Sequence, residues 1–186
     1  LIPYIEREYR VIAEPAARLL VGQSSGAWAS LWLQIAYPDF FGGAWVTAPD
    51  PVNFRSFVGD TDIYQPNANV FVDGSGRARS QAVARGQQLL TVKEFSDAEQ
   101  VVVDGEQLGA WESVFSRRAA DGSPERLFDR MTGRVDPAVA ETWKQYDLRL
   151  MLESGWPTLG PRLAGKLHIY VGREDTFLLD RPLRLL

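Results

Sequence analysis

The chain has 186 residues, 45% of them hydrophobic, with 20 Lys and Arg against 24 Asp and Glu and a net charge of −4. That mildly acidic balance argues against a nucleic-acid partner, and no apolar run is long enough to span a membrane. Without a cysteine the chain can form neither a disulfide nor a thiolate metal site, and its length suits a single domain with a sizeable core.

Residues 2–11 read as an amphipathic helix, with Ile2, Ile5 and Tyr9 on one face and Pro3 suited to the first turn. The chain starts at Leu1 without a signal-peptide pattern and ends on Arg181 to Leu186, which reads like the opening of a helix. Both ends carry the expectation of a stretch cut from a longer protein.

Leu19, Leu20 and Val21 then read as a short buried strand that runs straight into Gly22-Gln23-Ser24-Ser25-Gly26, a match to G-x-S-x-G. Trp28, Leu31, Trp32 and Ile35 follow at helical spacing until Pro38 ends the segment. Strand, tight turn and helix in succession are the setting of a nucleophile elbow. There a serine at the tip of a strained turn presents its hydroxyl, and the flanking glycines make room for strand and helix to close. The N–H of Ser25 falls at the helix start, where unpaired donors and the helix dipole favour a developing oxyanion.

Ala44 to Ala48 form a second buried-strand candidate, stopped by Pro49-Asp50-Pro51. With the elbow it predicts a βαβ unit whose strands are parallel. The middle is less regular. Val70 to Val72 and Val101 to Val103 read as short strands, each before a turn signal (Asp73-Gly74 and Asp104-Gly105), and 107–115 as a short helix. Asp136-Pro137 is a helix start, and Val139, Trp143, Tyr146 and Leu150 mark one face of a helix that should stop near Gly155. Lys166 to Gly172 is a third strand for the parallel sheet. It opens into the polar loop Arg173-Glu174-Asp175-Thr176-Phe177, at the strand end where open α/β sheets gather ligands.

Other constellations favour plain structural roles. Asp60-x-Asp62 and Asp73-Gly74-Ser75-Gly76 lack the spaced oxygen ligands of a calcium site and suit turns. Trp111, Trp143 and Trp156 could line a substrate pocket, with core packing the stronger expectation. No metal or cofactor is called for.

The ordered set resembles the putative-esterase branch of the α/β-hydrolase superfamily, the relatives of feruloyl esterases, S-formylglutathione hydrolase and the mycolyltransferase antigens. It comprises the elbow, Tyr37-Pro38-Asp39-Phe40-Phe41-Gly42, Tyr146-Asp147-Leu148-Arg149, and Gly165 through Phe177. The resemblance implies a partial α/β-hydrolase fold: a mostly parallel sheet with flanking helices and a long insertion. Residues 1–186 would be one truncated domain, with 1–51 the elbow βαβ unit, 52–163 the inserted or cap region, and 164–186 the acid-bearing strand and loop. It further implies Ser24 as nucleophile, the Ser25 N–H as one oxyanion donor and Asp175 as the triad acid. Glu174 and Asp180 compete for that last role, and Asp175 leads on its distance from Gly172.

The family order is serine, acid, histidine, yet the one histidine, His168, precedes Asp175 and sits within a strand, where a sheet-face role is expected. The triad histidine is therefore expected beyond Leu186. The implied function is a serine ester hydrolase working through an acyl-enzyme at Ser24 on a small-molecule ester, with the isolated chain near inactive. An acyltransferase of the same fold and a non-catalytic binding domain are the alternatives. No nucleic acid or membrane partner is expected, and open sheet edges suggest self-association.

Overall fold

A computed structural model describes residues 1–103 and 106–186. In chain order its elements are α1 (Ile2–Glu8), β1 (Leu19–Ser24), α2 (Ser25–Ala36), β2 (Gly43–Pro49), β3 (Ser80–Ala84), β4 (Gln87–Thr91), α3 (Val92–Val103), α4 (Glu106–Phe115), α5 (Pro137–Trp143), α6 (Leu148–Leu163), β5 (Leu167–Tyr170) and α7 (Asp180–Arg184). The class is mixed α/β, with a parallel three-stranded sheet and flanking helices, consistent with part of an α/β-hydrolase fold. The chain divides into two compact units, 1–50 with 152–171 and 51–151 with 172–186.

The first unit holds the sheet, in the order β1-β2-β5. All three strands lie where the apolar runs predict them, and both pairings are parallel. α2 covers one face: Ala27, Leu31 and Ile35 pack toward Ala44 and Val46, all five all but fully buried. Tyr37 leaves the helical region at φ −128°, ψ 60°, as a residue before proline is pushed to do. β1 corrects the expectation of a buried strand. It is an edge strand, and Leu19 and Val21 are 55% and 78% exposed. Alternation alone explains this, since only one of its faces meets α2.

The second unit is built on an aromatic cluster in which Phe54, Phe57, Phe115 and Trp143 meet edge to face or tilted, with ring centroids 5.1–5.7 Å apart. Trp143 is buried and donates its Nε1–H to Ser116 Oγ at 2.9 Å, and Trp111 packs its ring on Phe57. Both therefore have core roles, whereas Trp156, in the first unit, is exposed. Asp147, with no exposed surface, fixes three segments of this unit: its carboxylate accepts the Phe54 N–H (2.8 Å), the Tyr64 hydroxyl (2.8 Å) and the Leu150 N–H (3.2 Å).

That carboxylate also breaks the helix predicted from Asp136 to Gly155. Asp136 does cap α5, accepting from Ala138 N–H and Val139 N–H. At Asp147, however, the backbone turns extended and the side chain caps a new helix, α6, which runs past Gly155 to Leu163. Two predicted strands are also absent. Val70 to Val72 form only an isolated bridge, Val72 to Ala78, with Val70 and Phe71 buried in the core. Val101 to Val103 close α3 as helix; the turn predicted at Asp104-Gly105 lies outside the described residues. A capping box sets that helix: the Thr91 N–H and hydroxyl donate to Glu94, whose own N–H donates to Thr91 Oγ1. β3 and β4 form a hairpin that the strand patterns do not reveal, closed by Arg85 and Gly86 at φ 51° and 75°.

Candidate active site

Ser24 stands at the junction of β1 and α2 with φ 53° and ψ −124°. A serine with positive φ is costly, and such strain persists only where the surroundings impose it. The approach of strand to helix does so here. A β-carbon on Gly22 would lie 2.2 Å from the Gly26 carbonyl oxygen, so glycine is the residue that lets the turn close. Gly26 is different: a β-carbon there would meet nothing within 4 Å. The second glycine of the motif therefore has no steric reason of the kind the spacing suggested. Ser25 is the first residue of α2, and its N–H is among the four at any helix start that lack an intrahelical acceptor.

Beneath the two serines lies a residue that sequence reasoning passed over. Asp50, 7% exposed, follows β2 directly, and its carboxylate accepts the Ser24 hydroxyl at 2.9 Å and the Ser25 hydroxyl at 2.6 Å. Its N–H also donates to the Ser24 carbonyl at 3.3 Å. A slip in the strand pairing puts it there. Gln23 pairs with Thr47 but Ser24 pairs with Pro49, so Ala48 is an extra residue on β2, and it too has a positive φ of 43°. Bulges commonly re-aim the residues beside a site. Pro49-Asp50-Pro51 reads as punctuation, yet the rule that draws attention to Asp175, an acid just past the carboxyl end of a parallel strand, applies equally to Asp50.

His168 is part of the sheet. Its ring stacks on Trp45 (centroids 4.3 Å apart, planes 9° apart), and its Nε2 lies 3.1 Å from the Gly165 carbonyl. By register it aligns with Trp45 and, through it, with Val21, three residues short of Ser24 or about 10 Å along the strand. It is not beside the elbow.

Asp175 belongs to the second unit. Its Oδ1 accepts the N–H groups of Phe177 (2.9 Å) and Leu179 (3.1 Å), closing the turn ahead of α7 in which Leu178 takes φ 62°. With Glu174, Asp180, Arg85, Arg173 and Arg181 it lines a cavity of about 530 Å³. Asp180 is paired with Arg184 at 3.0 Å, and Glu174 is exposed. Of the residues singled out from sequence, Ser24 and Ser25 share one unit and Asp175 falls in the other.

Among the described residues no group of three or more His, Asp or Glu could hold a metal ion, and no helix is long and apolar enough to cross a membrane. The Asp73 carboxylate closes its own turn: hydrogen bonds from the hydroxyl and N–H of Ser75, then from Arg77, hold it well below the usual carboxylate range. No curated protein matches the chain. The sequence model of a family described as putative esterase matches residues 1–180. The chain therefore belongs to the putative esterase family, in the esterase branch of the α/β-hydrolase superfamily, and ester hydrolysis is the activity this membership supports.

Proposed function

We propose that this chain is a serine ester hydrolase in which Ser24 attacks the ester carbonyl, forms an acyl-enzyme and is released by water. The observation that carries this reading is the backbone of Ser24. A non-glycine residue at φ 53°, ψ −124°, between a parallel strand and a helix and over a glycine that leaves no room for a side chain, has the geometry of a nucleophile elbow. In that role the Ser25 N–H, at the start of α2, stabilises the oxyanion as the tetrahedral intermediate forms. A small-molecule ester is the substrate class, and no cofactor enters the scheme.

Asp175 keeps the acid role that its loop position implies, although one of its oxygens already serves the turn. Because a triad acid acts by orienting the histidine, the role is read out where a histidine completes the site: there Asp175→Asn should lower the rate far more than Glu174→Gln. Because His168 is held away from the elbow, the 186-residue chain should hydrolyse activated esters several orders of magnitude more slowly than a complete serine–histidine–acid enzyme. Turnover of p-nitrophenyl acetate by the chain and by Ser24→Ala tests the reading. A slow rate that disappears in the variant supports it. A rate equal in both shows that Ser24 is not the nucleophile.

A further inference from the structure

We infer that the second unit holds a binding site for a small carboxylate, centred on Arg79 and independent of the role of Ser24. A cavity of about 420 Å³ opens there, lined by Asp60, Asp73, Arg77, Arg79, Gln88 and Arg181 among others, all of them in that unit. Its size lies within the range of small-molecule sites. The charges lining it do not balance, since three guanidinium groups meet two carboxylates. Each carboxylate is already taken. Asp73 is paired with Arg77 at 3.0 Å, and Asp60 with Arg181 at 2.7 Å.

Arg79 is the cation left over. Half-buried just ahead of β3, it is held by backbone carbonyls, and among the described residues no carboxylate is hydrogen-bonded to it. Its Nε donates to Asn69 (2.9 Å) and Val72 (3.1 Å), and its Nη1 to Gly59 (3.2 Å) and Asp60 (2.9 Å). These bonds fix the guanidinium plane and leave the two N–H groups of Nη2 for a ligand. Burial pulls the Arg79 pKa down, with Asp73 and then Asp60 opposing it, as suits a charge that has lost water without gaining an ion partner. A second donor lines the same cavity. Ser80, on β3, gives its hydroxyl to Gln88 Oε1, on β4, at 2.7 Å, so the Gln88 amide NH₂ is left to donate. Oriented donors around one unbalanced positive charge suit a monoanion, and a planar guanidinium matches a carboxylate.

Arg79 also braces four carbonyls, so the test leaves it in place. Gln88→Glu sets a carboxylate where the amide stands, at an exposed position whose Ser80 partner can still donate. The unaltered chain and the variant are titrated with sodium acetate at constant ionic strength. Binding is followed by heteronuclear NMR of the Arg79 Nε–H and of the Ser80 and Gln88 amides, and folding by thermal melting. Acetamide, the uncharged isostere, and inorganic phosphate are the comparison probes. The site predicts saturable shifts with acetate at these groups, none with acetamide, and weaker binding of phosphate. Gln88→Glu should weaken acetate binding about tenfold or more, a charge-assisted hydrogen bond being lost to a like charge, with the melting temperature little changed. No saturable shift with acetate, an equal response to acetamide, or unchanged acetate affinity in Gln88→Glu would overturn the site. Tighter binding of phosphate than of acetate would overturn the assignment to carboxylates. If Gln88→Glu fails to fold, the acetate and acetamide titrations of the unaltered chain decide alone.

Discussion

Adding one methyl group at Gly22 tests the elbow at its tightest point. The new β-carbon would sit 2.2 Å from the Gly26 oxygen, 2.3 Å from the Gly26 carbon and 2.6 Å from the Ala27 nitrogen. Ordinary contact begins near 3.4 Å, so the closest atom is over 1 Å too near. The obstacle is backbone, which cannot rotate aside as a side chain would. Strand and helix must part, at a cost of about 1–3 kcal/mol or more by analogy with overpacked cores. The parting also relaxes the strained backbone that presents Ser24. Gly26→Ala is the matched control: its methyl group meets nothing within 4 Å, and alanine in a helix gains up to about 0.5–1 kcal/mol over glycine. Urea unfolding followed by circular dichroism, alongside turnover of p-nitrophenyl acetate, reads both effects. Gly22→Ala should lose stability and activity together, while Gly26→Ala should be as stable as the parent or more so. If Gly22→Ala matches the parent in both measurements, or if Gly26→Ala proves the more damaging, the steric reasoning is wrong.

Three further outcomes follow from the structure. Arg130 and Glu112 form a buried ion pair at 2.7 Å, with side chains 5% and 4% exposed, and burial raises the Glu112 pKa despite that partner. Arg130→Met should cost about 3–5 kcal/mol by stranding the carboxylate, while the double change Arg130→Met with Glu112→Leu should cost markedly less in a urea-unfolding cycle. Burial, and then the Asp147 carboxylate, hold the Tyr64 hydroxyl pKa well above its ordinary value of 10.0. Because the folded value exceeds the unfolded one, this contribution is complete below pH 10 and is lost as pH rises toward the folded value; Tyr64→Phe should flatten that alkaline decline in thermal melts. Finally, β1 and β5 are the outer strands of the three-stranded sheet, with Leu19, Val21 and Tyr170 exposed. Light scattering over a concentration series should show self-association, with amide exchange at 18–22 and 167–171 slowed on association; a monomer at all concentrations would refute it.

The elbow was legible because several signals coincide there: an apolar run, a glycine-flanked serine and a helical repeat ended by proline. The strands of the parallel sheet were legible for a related reason, as each is a short apolar run bounded by turn residues. Val101 to Val103 misled because β-branched residues favour strands only as a weak local bias. The capping box between Thr91 and Glu94 committed the chain to helix ten residues earlier, and that signal was present in the sequence. The break at Asp147 was not legible at all, since it depends on partners at Phe54 and Tyr64 more than eighty residues away. Asp50 fell between these cases. Its place after a strand was readable, but its contact with Ser24 depends on the slip at Ala48, which no residue pattern announces.

The central claim is that Ser24 carries the acyl group, and trapping that species tests it most directly. The chain would be mixed with p-nitrophenyl acetate, quenched in acid within the first turnover, digested and mapped by mass spectrometry. An acetyl group on the peptide containing Ser24, absent from Ser24→Ala, is the predicted result. Release of p-nitrophenol with no acetyl on Ser24, or with the same acetylation pattern in Ser24→Ala, would contradict it.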